Sequence, residues 1–142
     1  MKNTIWKQHL NLEELQKLTK GSAVEHLGIL YTYQGRSILK ASMQVGPKTM
    51  QPFGILHGGA SAFLAETLAS TASYCCIDPT KNVAVGMQLN IHHLSPATKG
   101  VVEGSVIPIR LGRSVHLWEV SIEQEKTQIA LALCTVKIQE KA

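Results

Sequence analysis

The chain has few of the residues that usually announce a chemistry. It holds only three cysteines, two of them adjacent at Cys75 and Cys76, too few for a disulfide framework. A reducing, cytoplasmic setting is the expectation. No CxxC or HExxH spacing occurs, and His92-His93 on a strand would point to opposite faces, so no metal site is expected. Aromatics make up 5% and the 14 Lys and Arg are scattered without a basic block, which argues against a nucleic-acid partner. No apolar run is long enough for a bilayer span, and Met1–Gln8 is followed by no apolar stretch of a secretion signal. Neither a membrane partner nor an organic cofactor is expected.

Charge is also scarce, at 17% of residues, with a net value of +4. The excess of lysine and arginine reads as a solvated surface or as the complement of an anionic ligand. The scarcity is most uneven between Thr49 and Ile77, where Glu66 is the only formally charged side chain. It lies among small and apolar residues, His57 to Tyr74, a composition that predicts a helix buried nearly all round. A carboxylate there must shift its pKa, find a partner or border a cavity.

What is present describes a globular chain. Hydrophobic residues make up 44% of 142, enough for one domain with a core, taken as residues 1–142. Asn11-Leu-Glu-Glu14 is a capping-box-like helix start with Leu10 and Leu15 at staple positions, and Ser22-Ala-Val-Glu25 repeats the signal for about one turn. Ile29–Tyr33 and Ser37–Val45 read as strands joined in a hairpin across Gln34-Gly35-Arg36. A loop with two prolines, residues 46–54, leads into the apolar helix, His57 to Cys76. Val83–Leu94, Val101–Arg110, Ser114–Glu123 and Gln128–Ile138 then read as antiparallel strands, alternating cleanly over Val101–Val106 and His116–Ile122. The fold class is α+β, with a sheet of about six strands wrapped around one long helix.

Two features suggest a site. Glu66 and Ser70 are four apart and share a helix face, with Ala62 and Ser73 close to it. At the helix start, Gly58 and Gly59 expose unpaired N–H groups at the positive end of the dipole, suited to an oxyanion or a polarised carbonyl. Gln51 and His57 add polar groups there. Gly58 and Glu66 are separated by about 12 Å of helix axis, whereas both would need to lie within about 3 Å of one reacting group. If both act on one carbonyl, they come from different subunits across a two-fold axis.

The run Gln51-Pro-Phe-Gly-Ile-Leu-His-Gly-Gly-Ala-Ser-Ala-Phe-Leu-Ala-Glu66 resembles the signature of hotdog-fold acyl-CoA thioesterases. Within these it is similar to the phenylacetate-pathway-type and hydroxybenzoyl-CoA (Arthrobacter-type) branch, which includes dihydroxynaphthoyl-CoA thioesterases. Ile5-Trp6-Lys7, Ser22 to Ile29, Gly86 to Leu94, Ile109 to Arg113 and Trp118 agree with it. The resemblance implies hydrolysis of an acyl-CoA, an aroyl-CoA above all, in a homo-oligomer that is at least a dimer and commonly a dimer of dimers (a homotetramer). It implies Glu66 as base or nucleophile, Gly58 N–H as carbonyl polariser, Gln51 and His57 lining the carbonyl, and Ser70 placing water or substrate. His93, Gly86 and Met87 would line the acyl and pantetheine channel. Arg110, Arg113 and Ser114 would meet the nucleotide of coenzyme A, arginine being a good phosphate partner. His92 stands where asparagine is expected, and an ordinary strand position is its reading. Two other functions stay open: hydration or dehydration of an enoyl thioester, for which His57 would serve, and acyl-CoA binding without catalysis.

Overall fold

A computed structural model describes residues 3–142. The N-terminal caps form as the sequence predicts. Asn11 accepts from the Glu14 N–H while the Glu14 carboxylate accepts from the Asn11 N–H, which starts α1 (Leu12–Leu18). Ser22 caps the single turn of α2 (Ala23–His26). The hairpin follows as β1 (Leu30–Gln34) and β2 (Leu39–Gln44). Then come α3 (Gly58–Cys75), β3 (Asn82–His93), β4 (Val101–Leu111), β5 (Val115–Gln124) and β6 (Thr127–Glu140). The expected segments are all found, with ends displaced by one to two residues, as fraying ends commonly are.

The six strands form one antiparallel sheet in the order β1-β2-β4-β5-β6-β3. This is the α+β architecture of a hotdog fold, with the sheet curled around α3. The alternation along β4 and β5 decides which face turns inward. Val102, Gly104 and Val106, and His116, Trp118, Val120 and Ile122, are buried. Leu64, Ala65, Leu68, Ala69 and Ala72 of α3 are fully buried against that face. Gly104 permits the close approach: a Cβ there would lie 2.6 Å from the Leu68 Cδ1. Burying a leucine of this kind is worth about 2 kcal/mol.

The expectation that α3 is buried all round fails. Only the sheet-facing stripe is covered, while Ala62, Phe63, Thr67, Ser70, Thr71 and Tyr74 are half-buried and Glu66 is exposed. Small apolar residues on every side made the helix read as fully enclosed, but one layer of sheet can cover only one side of a cylinder. Ser73 is corrected too. It turns inward, fully buried, and its Oγ accepts from Trp118 Nε1 at 2.7 Å and lies 3.1 Å from His116 Nδ1. The C-terminus of α3 is closed by the N-terminal segment. Lys7 and Gln8 backbone N–H groups both donate to the Cys75 carbonyl, and the Gln8 amide donates to that of Tyr74. Trp6, buried, anchors this strap by donating from Nε1 to the Gly35 carbonyl at 2.6 Å.

Candidate active site

The loop before α3 is folded upon itself. Gln51 N–H donates to the Ile55 carbonyl, His57 N–H to Thr49, and Leu56 N–H to Ala97. The Gln51 side-chain oxygen accepts from the Phe53 N–H, which leaves its NH2 group as the end offered to a ligand. His57 is the N-cap. Its Nδ1 accepts from the Gly59 N–H at 2.7 Å, so in the neutral ring the proton sits on Nε2. This corrects the expectation that both glycines offer free donors. Gly59 is spent on the cap, and Gly58 N–H alone has no acceptor among the described residues. His57 itself acts as a cap and lies outside the cavity wall described next.

Gln51, Gly58 and His93 come together in a cavity of about 370 Å³, with Ser61, Leu94 and Ile129 among its other walls. Gly58 is held against the His93 ring: a Cβ at 58 would lie 2.9 Å from its Nε2. β3 thus delivers a histidine to the helix start, while His92, one residue earlier, points to the opposite face in register with Leu131, as expected of its strand position.

Glu66 is elsewhere. It borders a separate cavity of about 320 Å³ with Val24, Phe63, Thr67, Ser70 and Thr71. Its carboxylate rests over Gly86, where a Cβ would stand 2.1 Å from Oε1. Gly86 therefore makes room for the acid, a role the sequence did not reveal, because the register of β3 against α3 is a tertiary fact. Beneath it lies Cys134, whose thiol is pushed up to about 11 by burial and then by the Glu66 charge. Burial pushes Cys75 and Cys76 up to about 12, and all three cysteines are free.

Arg110, Arg113 and Ser114 meet in a third cavity of about 440 Å³ at the β4–β5 turn, walled by Leu117 and Thr135. Met87 is 60% exposed and borders none of these three cavities. Within one chain, then, the residues named from sequence fall into three groups: a donor pocket, an acid and a basic turn. Sequence reasoning missed Thr71 and Tyr31, whose hydroxyls pair at 2.8 Å beside the acid's cavity. A polar residue at every fourth helix position (Thr67, Thr71) was the available signal. No group of three or more potential metal ligands occurs among the described residues, and no helix there is long and apolar enough to cross a membrane.

This geometry has close relatives. The chain is 46% identical over 122 residues to the proofreading thioesterase EntH of Cronobacter sakazakii, covering 86% of this chain and 88% of the relative. A crystallised Gln-to-Ala variant of thioesterase PA1618 from Pseudomonas aeruginosa superposes with a TM-score of 0.95 at 36% identity, over 97% of this chain and all of that one. Thioesterase HI1161 from Haemophilus influenzae gives 0.93 at 38%, over 96% of both chains. Residues 53–131 match the family model of the thioesterase superfamily, and with these relatives they show that the chain belongs to that superfamily, as an enzyme that hydrolyses thioesters of the coenzyme A kind.

Proposed function

We propose that the enzyme hydrolyses an aroyl-CoA, in the manner of the hydroxybenzoyl-CoA (Arthrobacter-type) branch, at a site shared by two subunits. The observation that carries the shared site is the separation of Gly58 and Glu66 on one helix; the aroyl group follows the resemblance of residues 51–66 to that branch. Gly58 and Glu66 open into different cavities and stand about 12 Å apart along the axis. The free Gly58 N–H of one protomer polarises the thioester carbonyl, aided by the Gln51 amide, and His93 packs beside them. The carboxylate comes from Glu66 of the partner subunit. It removes a proton from water as the water oxygen attacks the carbonyl carbon, or it attacks that carbon directly and water then cleaves the acyl-enzyme. In either case the C–S bond breaks, coenzyme A leaves as the thiol, and the free acid remains. Ser70, on the Glu66 face, positions the water or the acyl group. Arg110, Arg113 and Ser114 receive the phosphates.

Two subunits have a way to meet. β3 is an edge strand whose outer rim is unpaired among the described residues and whose Val85 and Met87 are exposed. Such an edge invites pairing with a second copy, which extends one sheet across both protomers. Further association through the exposed outer sheet face, with Ile107 and Leu133, makes a dimer of dimers. Hydration of an enoyl thioester is disfavoured because the histidine it would use, His57, is engaged in the cap.

Glu66→Gln tests the chemistry. Turnover of hydroxybenzoyl-CoA should fall by about 10³-fold, the usual scale for a lost general base, with oligomeric state unchanged. Full activity would remove Glu66 from the mechanism. Hybrids of Glu66→Gln subunits with Gly58→Val subunits should recover activity, since one of their two shared sites is intact. Verified hybrids that stay inactive would overturn the sharing.

A further inference from the structure

β3 meets α3 at two places. His93 packs against Gly58 at the helix start, and Gly86 lies beneath the Glu66 carboxylate. These two strand residues are seven apart. Side chains of a regular strand alternate between its faces, so an odd separation puts them on opposite sides. Both nonetheless face the helix. The register with β6 shows how: Gly86 pairs with Val136 and Gln88 with Thr135, which leaves Met87 as one extra, unpaired residue in a β-bulge. Leu89 and Ile91 beyond the bulge pack against the core, and so does Ala84 before it, so the inward set changes from odd to even positions at Met87. On an unbulged strand continued back from His93, Met87 and Val85 would face α3. The bulge turns both outward, where they are exposed, and brings a glycine inward.

Within the chain, only the acid requires that glycine. The three atoms nearest to a Cβ at position 86 are Oε1, Cδ and Cγ of Glu66, and Oε1 would overlap it. The backbone makes no such demand, since Gly86 has no positive φ. Inside a strand a glycine weakens the ladder, and it commonly marks a close approach from a neighbour. The Glu66 side chain, in turn, has no hydrogen-bond or ion-pair partner among the described residues. The shape beneath the carboxylate therefore sets its direction, with no polar tether to hold it.

We propose that Gly86, turned inward by the bulge at Met87, is a positioning residue for Glu66: it seats the carboxylate against β3 and fixes the line along which the acid meets the thioester. This rests on Glu66 as the hydrolytic carboxylate. Gly86 acts through Glu66 alone and takes no part in bond making. A methyl group at position 86 lifts the carboxylate from its seat, and a misplacement of about 1 Å at a reacting group costs on the order of 10²-fold in rate. One strand thus serves both ends of the site, with His93 at the donor and Gly86 at the acid, and the bulge is what lets both face the same helix.

The test places Gly86→Ala in two backgrounds, wild type and Glu66→Ala, and reads kcat and KM with hydroxybenzoyl-CoA together with the thermal midpoint. Beside Glu66, kcat should fall about 10²-fold. KM should stay within about threefold, because the defect lies in the reacting geometry and not in binding. In the Glu66→Ala background the seat is clear, and alanine should raise the midpoint, as it does where it replaces glycine without strain. In the wild-type background that gain should be smaller or reversed. A Gly86→Ala enzyme whose kcat is within about twofold of wild type overturns the proposal, and so do equal midpoint changes in the two backgrounds. Should Gly86→Ala fail to fold beside Glu66, a folded double variant supports the seat, and an unfolded one overturns it. Glu66→Gln separates the two readings. If it is fully active, the hydrolytic role of Glu66 is what fails; if it is inactive while Gly86→Ala keeps its kcat, only the seat fails.

Discussion

The two ends of α3 are treated in opposite ways. At its C-terminus the strap from Trp6 to Gln8 supplies three N–H donors to the Cys75 and Tyr74 carbonyls, groups a helix end otherwise leaves unpaired. At its N-terminus His57 caps Gly59, yet the Gly58 N–H is left without an acceptor at the mouth of a cavity. An unsatisfied donor at the positive end of a helix dipole costs stability and gains a place for a developing negative charge. One end is closed by the chain, and the other is left open at a cavity.

That contrast predicts a division of effects. At the open end, Gly58→Ala brings a Cβ to 2.9 Å from the His93 ring and moves one of them. The expected loss in kcat is about 10³-fold, the upper scale for a misplaced oxyanion donor, with the thermal midpoint within a degree or two of wild type; an unchanged kcat would remove the Gly58 N–H from the chemistry. At the closed end, Trp6→Ala removes a buried indole and its bond to Gly35, for a stability loss of about 3 kcal/mol by denaturant titration. The residual folded enzyme should keep its kcat/KM, and a large catalytic defect would show that the strap reaches the site.

Between the ends, Ser73→Ala leaves the buried Trp118 Nε1–H and the His116 ring without their shared partner. A stability loss of about 2 kcal/mol is expected, the cost of an orphaned buried donor, and an unchanged denaturation midpoint would contradict the network. The smallest effect concerns pH. Burial holds His116 below its ordinary value, and the Lys7 charge acts in the same direction. As pH falls below about 6.5, the unfolded chain takes up this proton before the folded one does. Its contribution to stability is therefore complete above that pH and declines below it. The thermal midpoint should drop between pH 7 and pH 5.5, and His116→Asn should flatten that slope; parallel slopes would assign the pH dependence to other groups.

Much of this was legible beforehand. The capping box at Asn11, the hairpin and the alternation of β4 and β5 are local signals, because capping and pleat operate over a few residues. The isolation of Glu66 in composition marked it as unusual, but composition misjudged its burial. Which side of α3 the sheet covers depends on strands that lie both before the helix and far beyond it in the chain, and no period along the helix announces it. The same holds for Gly86, which reads as a strand glycine until Glu66 is found above it. The division of labour between Gly58 and Gly59 turned on one side-chain rotamer, that of His57.

The amino-acid order alone determined the element types, the strand count and the spacing that keeps donor and acid about 12 Å apart on one rod. Tertiary structure alone decided which stripe of that rod stays open, which glycine sits beneath the acid and which histidine reaches the helix start. The reason is physical. Backbone hydrogen bonding and hydrophobic period act between near neighbours, whereas the shape of a cavity is the residue of every long-range packing choice at once.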